Sequence, residues 1–447
     1  MTSLGRPAGI RARDQGREAR FSASRLTRRG WGMIAASVVC FLIAYGSNLS
    51  AMLYAAGFLA VLPTVSLVMV RMRRRRLSVV RAFSPSLVPA GSIATVDLAV
   101  RNLSVSRSGP AVWADRIPWR PGTAGPGELP SLAGSLPGYV NSSAAATLRY
   151  TVRPPFRGVF NIGPLEVEYT DPFGLAAGSA SLGGIQPLSV VPIVIPLGGG
   201  GPSILAGDGT ARLAQRRAAG NDDDLMTREY RSGDALRRIH WRASARHGEL
   251  MVRQEEQRTY PEARILIDTR KYGYRDEFAD LGNDDSGSGA FEWAVRMVAS
   301  LGVHLHRTGF LVQVLETGPA QITPLGDANQ GAGQDIDFLI SLAGLRLSDA
   351  PLPGAGLIRG EEQAEGLPGP IFAVVADPDL ATLHWIAAQR RPFELGVAFV
   401  LGRRSASAFD ALSAAGWTCV PVRETDDPAL AWASISRFTG QATGGGR

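Results

Sequence analysis

Cysteine is nearly missing: Cys40 and Cys419 are the only two in 447 residues. That is too few for a disulfide framework, and it fits a reducing compartment. The five histidines, His240, His247, His304, His306 and His384, show no H-E-x-x-H and no Cys/His ligand spacing, which excludes the familiar zinc patterns. A G-x-S-x-G elbow and a Walker-type glycine loop are also lacking, so neither a nucleophile-elbow hydrolase nor a P-loop nucleotidase is expected. A hydrolase built from Cys419 and His384 is the remaining nucleophilic arrangement. It is disfavoured, because Cys419 lies in a strand-like Thr418-Cys419-Val420-Pro421-Val422 run, and a buried structural cysteine is ordinarily inert.

A net positive excess is lacking outside the N-terminal region. The net charge is +7, yet through Arg76 there are 13 Arg, no Lys and 2 acids, a net of +11 that leaves −4 for the rest. The basic excess therefore belongs to short arms rather than to a groove tracking a phosphate backbone, and no nucleic-acid partner is expected.

Those arms flank two uncharged and mainly apolar runs, Trp31 to Tyr45 and Ala51 to Val70. A spanning helix needs about 20 mainly apolar residues; the first run reaches that length by using Gly46 to Leu49. The connection Gly46-Ser47-Asn48-Leu49-Ser50 allows only a tight turn, so the spacing predicts a two-helix transmembrane hairpin over 31–70. Arg25, Arg28 and Arg29 precede it, and Arg71 and Arg73 to Arg76 follow it. Positive flanks stay on the cytoplasmic side, which puts both termini and the soluble part in the cytoplasm at the plasma membrane. A cleaved signal peptide fits poorly, because the second run ends in an arginine cluster rather than a cleavage site.

Residues 1–30 then read as a basic cytoplasmic arm. From 77 to 196 short alternating runs, such as Ala94 to Val100 and Ala146 to Val152, carry the period-two signature of an all-β sandwich. A flexible linker is expected over 197–224, where four glycines open the segment and three aspartates close it. Over 225–440 strands alternate with helices, which reads as a doubly wound α/β domain with a mostly parallel sheet; 441–447 is a tail. Gly309, Gly416 and Gly440 sit at expected helix stops.

The densest chemistry lies from Arg228 to Glu256, REYRSGDALRRIHWRASARHGELMVRQEE. Gly233 allows a turn and Asp234 can cap a helix from Ala235 to Gly248, with Leu236, Ile239 and Ala243 on one face and Trp241 buried. Arg228, Arg237, Arg242 and Arg246 could bind an anion or a protein partner through bidentate guanidinium contacts. They could equally form an internal lattice with Asp234, Glu249, Glu255 and Glu256, and the interspersed acids favour the lattice.

The spacing R-x-Y-x-x-G-D-x-x-R-x-I-x-W-x-x-S-A-R, here Arg228, Tyr230, Gly233, Asp234, Arg237, Ile239, Trp241, Ser244 and Arg246, resembles the signature of the domain-of-unknown-function 58 family. Arg157-Gly158 and Asp171-Pro172-Phe173-Gly174-Leu175 resemble the end of that family's β-domain. The resemblance implies a von Willebrand factor A-like fold for the C-terminal part and a MoxR-type AAA+ ATPase as protein partner. Such A-type folds hold Mg²⁺ or Ca²⁺ through D-x-S-x-S. The matching text here is Asp268-Thr269-Arg270-Lys271-Tyr272, so both serines are gone. Asp268, Asp377 and Asp379 remain as weak metal candidates, with Arg270 expected to pair with Asp268 and displace the ion. No cofactor is expected. The leading expectation is a membrane-anchored, non-enzymatic adaptor that docks a protein partner. The alternative is a metal-dependent or hydrolytic enzyme with its site at the carboxyl edge of the parallel sheet.

Overall fold

The computed structural model describes residues 20–47, 49–72, 76–119, 123–135, 142–198, 227–231, 239–253, 262–274, 288–325, 333–350, 368–391, 393, 395–402 and 406–442. They fall into two compact units, Met1–Val191 and Pro192–Arg447.

In the first unit a strand, β1 (Arg20–Leu26), leads into helices α1 (Arg28–Ser47) and α2 (Ser50–Met72). Both helices are long and apolar enough to cross a membrane. Large apolar side chains such as Leu42 and Phe58 point outward, the latter 66% exposed, as a lipid-facing surface requires. Between the helices the buried positions are small, with Ser37 and Ala44 on α1 and Ala56 on α2. Small residues let backbones approach, and here Ser37 Oγ donates to the Ala56 carbonyl at 2.7 Å.

Ten more strands follow: β2 (Leu77–Ser84), β3 (Val88–Pro89), β4 (Ala94–Asn102), β5 (Ala111–Arg116), β6 (Thr123–Leu129), β7 (Ala145–Val152), β8 (Gly158–Ile162), β9 (Leu165–Thr170), β10 (Ala176–Leu182) and β11 (Gln186–Val191). They form sheets ordered β1-β10-β9-β5-β6, β2-β4-β7 and β3-β11-β8. The alternation read from the sequence is physical: Ala94, Val96, Leu98 and Val100 of β4 are buried, while the residues between them face outward. These side chains share one core with Trp113, Tyr150, Leu165 and Val190.

One expectation is corrected here. Residues 20–26 are an edge strand paired antiparallel with β10, from Arg20↔Ser181 to Leu26↔Ala176, rather than part of a separate basic arm. The edge of β10 offers unpaired backbone groups, and β1 satisfies them. The hairpin is thus bracketed by β1 and β2, which belong to the same β-rich unit.

In the second unit come β12 (Thr227–Glu229), α3 (Trp241–His247), β13 (Met251–Arg253), β14 (Glu262–Ile267), α4 (Gly289–Thr308), β15 (Leu311–Glu316), α5 (Gly333–Gly344) and β16 (Pro368–Val375). They are followed by α6 (Leu380–Ala388), β17 (Leu395–Leu401), α7 (Ala406–Ala414), β18 (Thr418–Val422) and α8 (Pro428–Ala442). The sheet runs β15-β14-β16-β17-β18, with every pairing parallel. Helices cover both faces. Trp293 of α4, Phe338 of α5 and Trp432 of α8 pack on Ile265, Phe372 and Phe399, while Leu383, Ile386 and Leu412 pack on Leu266, Ala373 and Val400. Burying each such side chain is worth about 1.5–3 kcal/mol.

Gly309 and Gly416 take φ of 97° and 86° at their helix ends, a backbone shape that glycine adopts without strain. Gly440 does not stop its helix, since α8 continues to Ala442; one glycine costs about 1 kcal/mol inside a helix, too little to end it. The linker expectation is also shortened. Leu197 is buried in the α/β core and Trp432 Nε1 donates to the Gly198 carbonyl at 3.0 Å; the remainder of 197–224 lies outside the described residues.

Candidate functional site

With β14 as first strand of the parallel sheet, the order is 2-1-3-4-5, so the switch point lies between β14 and β16. Ligands of doubly wound sheets bind outside the carboxyl ends there. Asp268 follows β14, while Asp377 and Asp379 follow β16, and this crevice is closed from within. Arg270 places Nη1 and Nη2 on the two carboxylate oxygens of Asp379, each at 3.2 Å, and also donates to Thr382 Oγ1. Arg270 was expected on Asp268; Asp379 wins because it is the N-cap of α6, where its Oδ1 accepts from the Thr382 amide at 2.9 Å and presents both oxygens to the guanidinium. Partial burial opposes ionisation of Asp379, but the bonds from Thr382 and Arg270 outweigh it and hold the carboxyl below the usual range.

Asp268 is 1% exposed. Its Oδ1 accepts from Thr317 Oγ1 at 2.5 Å and from the Arg270 amide at 3.2 Å. Its Oδ2 is buried without a partner, as is the Tyr274 hydroxyl. Gly273 lies directly over Oδ2, since a Cβ there would come within 2.3 Å of it. Burial pushes the Asp268 carboxyl up, against the lowering by the Thr317 hydroxyl and the Arg270 amide. Asp377 is exposed and its amide donates to the Gly273 carbonyl at 3.0 Å. Among the described residues no three His, Cys, Asp or Glu side chains converge on a point. Cys419 is buried in the sheet core, where burial raises its thiol, and His384 is exposed on α6.

The signature segment folds differently from its sequence expectation. β12 and β13 pair antiparallel, Arg228 opposite Val252, and Ile239 forms a bridge to Val252 as well. Ile239 is therefore extended, and the helix begins only at Trp241, capped by His240 Nδ1 accepting from the Ala243 amide at 3.0 Å. Gly248 ends it with φ 78°. Gly233, Asp234, Leu236 and Arg237 lie outside the described residues. Tyr230 is half-buried, with its amide donating to the Leu250 carbonyl at 2.8 Å. Ser244 ties α3 to β13: its Oγ donates to the His240 carbonyl at 3.1 Å and accepts from the Met251 amide at 2.8 Å. Replacing Ser244 by Ala should lower the protein's unfolding free energy by about 1 kcal/mol, read by urea titration.

Trp241, expected in the core, is 69% exposed, because it sits in the first turn of a one-sided helix of seven residues whose packing side is taken by Ser244. Arg242, Arg246 and His247 are exposed beside it. Among the described residues neither Arg242 nor Arg246 enters an ion pair with Glu249, so that part of the expected lattice is not formed.

Comparison with known proteins adds a local likeness. Residues 226–278 match the family described as "Protein of unknown function DUF58". No curated protein matches the chain. Among solved structures, the CARDB domain of the PF1109 protein from Pyrococcus furiosus, in complex with di-metal ions, is similar at 13% identity over 24% of this chain and 89% of that one, with a TM-score of 0.16. A Paenibacillus sp. cycloisomaltooligosaccharide glucanotransferase is similar at 12% identity over 77% of this chain and 53% of that one, with a TM-score of 0.18. At these scores the two structures carry no argument about fold or function.

Proposed function

We propose that the chain is a member of the domain-of-unknown-function 58 family acting as a membrane-anchored, non-enzymatic adaptor that docks a protein partner through the signature hairpin β12–α3–β13. The observation that carries this reading is the exposure of Trp241, Arg242 and Arg246 on the short helix α3. Exposed tryptophan and arginine are the residue types most enriched at binding hot spots. The crevice where an enzyme of this sheet type would hold its ligand is occupied by Arg270 and Asp379, which favours docking over catalysis. A von Willebrand factor A-like ancestry rests on the doubly wound sheet with an acid after its first strand.

The bracketing of the hairpin by β1 and β2 supports one further element of the reading. Both outer ends of α1 and α2 join the same β-rich unit, which supports a hairpin with both ends on one side of a membrane, and the arginine flanks favour the cytoplasm for that side. The partner implied by the family resemblance is a MoxR-type AAA+ ATPase. Capture of the full-length protein from its own membranes in mild detergent, with ATP and Mg²⁺, should retain that ATPase. Trp241→Ala and Arg242→Ala should each weaken capture about tenfold or more, which corresponds to about 1.4 kcal/mol, with the melting temperature unchanged because both side chains are exposed. Full retention by both variants would refute the docking surface.

A further inference from the structure

The turn Asp171-Pro172-Phe173-Gly174-Leu175 does more than close a hairpin between β9 and β10. It grips the base of the apolar helices. The Thr27 amide donates to the Leu175 carbonyl at 2.9 Å and Thr27 Oγ1 to the Gly174 carbonyl at 2.6 Å, while Gly30 of α1 packs so close that a Cβ would come within 2.3 Å of the Leu175 oxygen. On the other helix, Ser66 hydrogen-bonds to the Asp171 carboxyl, and Val70 lies in the β-domain core. Asp171 organises the turn itself, accepting from the Phe173 amide at 3.0 Å and from the Ala176 amide at 2.7 Å. Burial raises its carboxyl, but these bonds together hold it below the usual range.

What this fixed turn presents outward is a large aromatic ring. Phe173 is 62% exposed, on a turn held by the Asp171 hydrogen bonds, at the end of the helices that carries Arg28, Arg29 and Trp31, all exposed. Arg29 Nη1 lies 3.7 Å from the position of a Cβ on Gly174, so its guanidinium stands beside the Phe173–Gly174 step. An apolar ring and a cation side by side, where a spanning hairpin leaves the bilayer, match the headgroup layer, whose depth changes from acyl chain to phosphate over a few ångströms.

We infer that the Pro172–Gly174 turn is a third membrane contact, in which Phe173 seats at the boundary of headgroups and acyl chains and Arg29 binds a lipid phosphate. The inference rests on the membrane reading of α1 and α2. It makes the β-domain a fixed collar on the bilayer surface instead of a freely swivelling spacer.

The test places a spin label at single sites in full-length protein carrying Cys40→Ala and Cys419→Ala, reconstituted in nanodiscs of phosphatidylcholine and phosphatidylglycerol. Phe173→Cys is compared with Phe58→Cys in the middle of α2 and Ile93→Cys at the opposite end of β4 from α2, using the relative accessibility of oxygen and a water-soluble nickel complex. The label at 173 should read as membrane-inserted, within about 5–10 Å of the headgroup boundary, with 58 deeper and 93 aqueous. If 58 reads as lipid and 173 as water, the anchor stands and the third contact is refuted. If 58 also reads as water, the anchor reading fails and takes this inference with it. A photoactivatable lipid crosslinked to the unsubstituted protein gives the same decision without altering Phe173: adducts on the peptide containing Phe173 are expected, and adducts confined to α1 and α2 would overturn the inference.

Discussion

Replacing Asp115 by Ala should destabilise the β-rich unit by about 3–5 kcal/mol, the usual cost of stranding one member of a buried ion pair. The side chains of Arg81 and Asp115 are 2% and 0% exposed. Arg81 Nε and Nη2 donate to the two oxygens of Asp115 at 2.9 and 2.8 Å, Arg81 Nη1 donates to the Gly184 carbonyl at 2.6 Å, and Tyr150 Oη donates to Asp115 Oδ2 at 2.7 Å. Burial, followed by the Asp115 charge, pushes the Tyr150 phenol far above its ordinary range, so it stays a donor at any working pH. Gly163, with φ 99°, makes the space: a Cβ there would lie 2.6 Å from Arg81 Nη2. The alanine variant leaves the guanidinium without its counter-charge, and chemical denaturation of the detergent-solubilised protein measures the loss. The paired change Arg81→Met with Asp115→Leu removes both charges together and should cost much less than the single change. A double-mutant cycle with Arg81→Ala separates the pair's interaction from the burial cost of each partner.

Asp268→Asn should do the opposite and raise stability at neutral pH by about 1–3 kcal/mol, because it removes a buried charge with one unpartnered oxygen. The asparagine oxygen can keep the bond from Thr317 Oγ1, and the change in size is negligible. The pH dependence carries a definite sign. Burial raises the folded-state pKa of Asp268 above the ordinary carboxyl value of 3.8, so the folded protein holds this proton more tightly than the unfolded chain. Its contribution to stability is then fully present below pH 3.8 and is lost as pH rises from there through the folded value. The advantage of the asparagine variant should therefore appear above that window and close below it. Equal melting temperatures of the two proteins across the whole range would mean that the carboxyl is solvated or paired in solution.

Much of the architecture could be read in the sequence because it rests on periodicity. The unbroken apolar run Gly396 to Leu401 falls inside β17, Leu395–Leu401, and the periodic stretch Phe291 to Leu305 falls inside α4, Gly289–Thr308, whose apolar side packs on the sheet. Partnership was less legible. β1 has a period that any exposed arm could carry, and only its pairing with β10, far along the chain, makes it a strand. Arg81 and Asp115 fall on inward positions of β2 and β5; a charge on the apolar side of an alternating run was the available signal of a buried pair. In the signature segment local helix propensity misled, because Ile239 is claimed by a bridge to Val252. That tertiary pairing shortened the helix and turned Trp241 out of the core. Arg270 offered two carboxylates to a sequence argument, Asp268 and Asp379, and only the cap geometry of α6 decides between them.

The edge strand β1 also sets an order of events during synthesis. Arg20 pairs with Ser181 and Leu26 with Ala176, so β1 leaves the ribosome well before its partner strand, which is made after the two apolar helices and most of the β-rich unit. At about 5–20 residues per second, that delay lasts on the order of ten to thirty seconds, ample for the two apolar helices to form and pair first. Chains ending before Ala176 have no β10 and should leave β1 unprotected from proteolysis even with both apolar helices inserted. Within its sheet β1 is made before every partner yet can pair only once β10 exists, and that pairing ties the entry to the apolar helices back onto the β-rich unit.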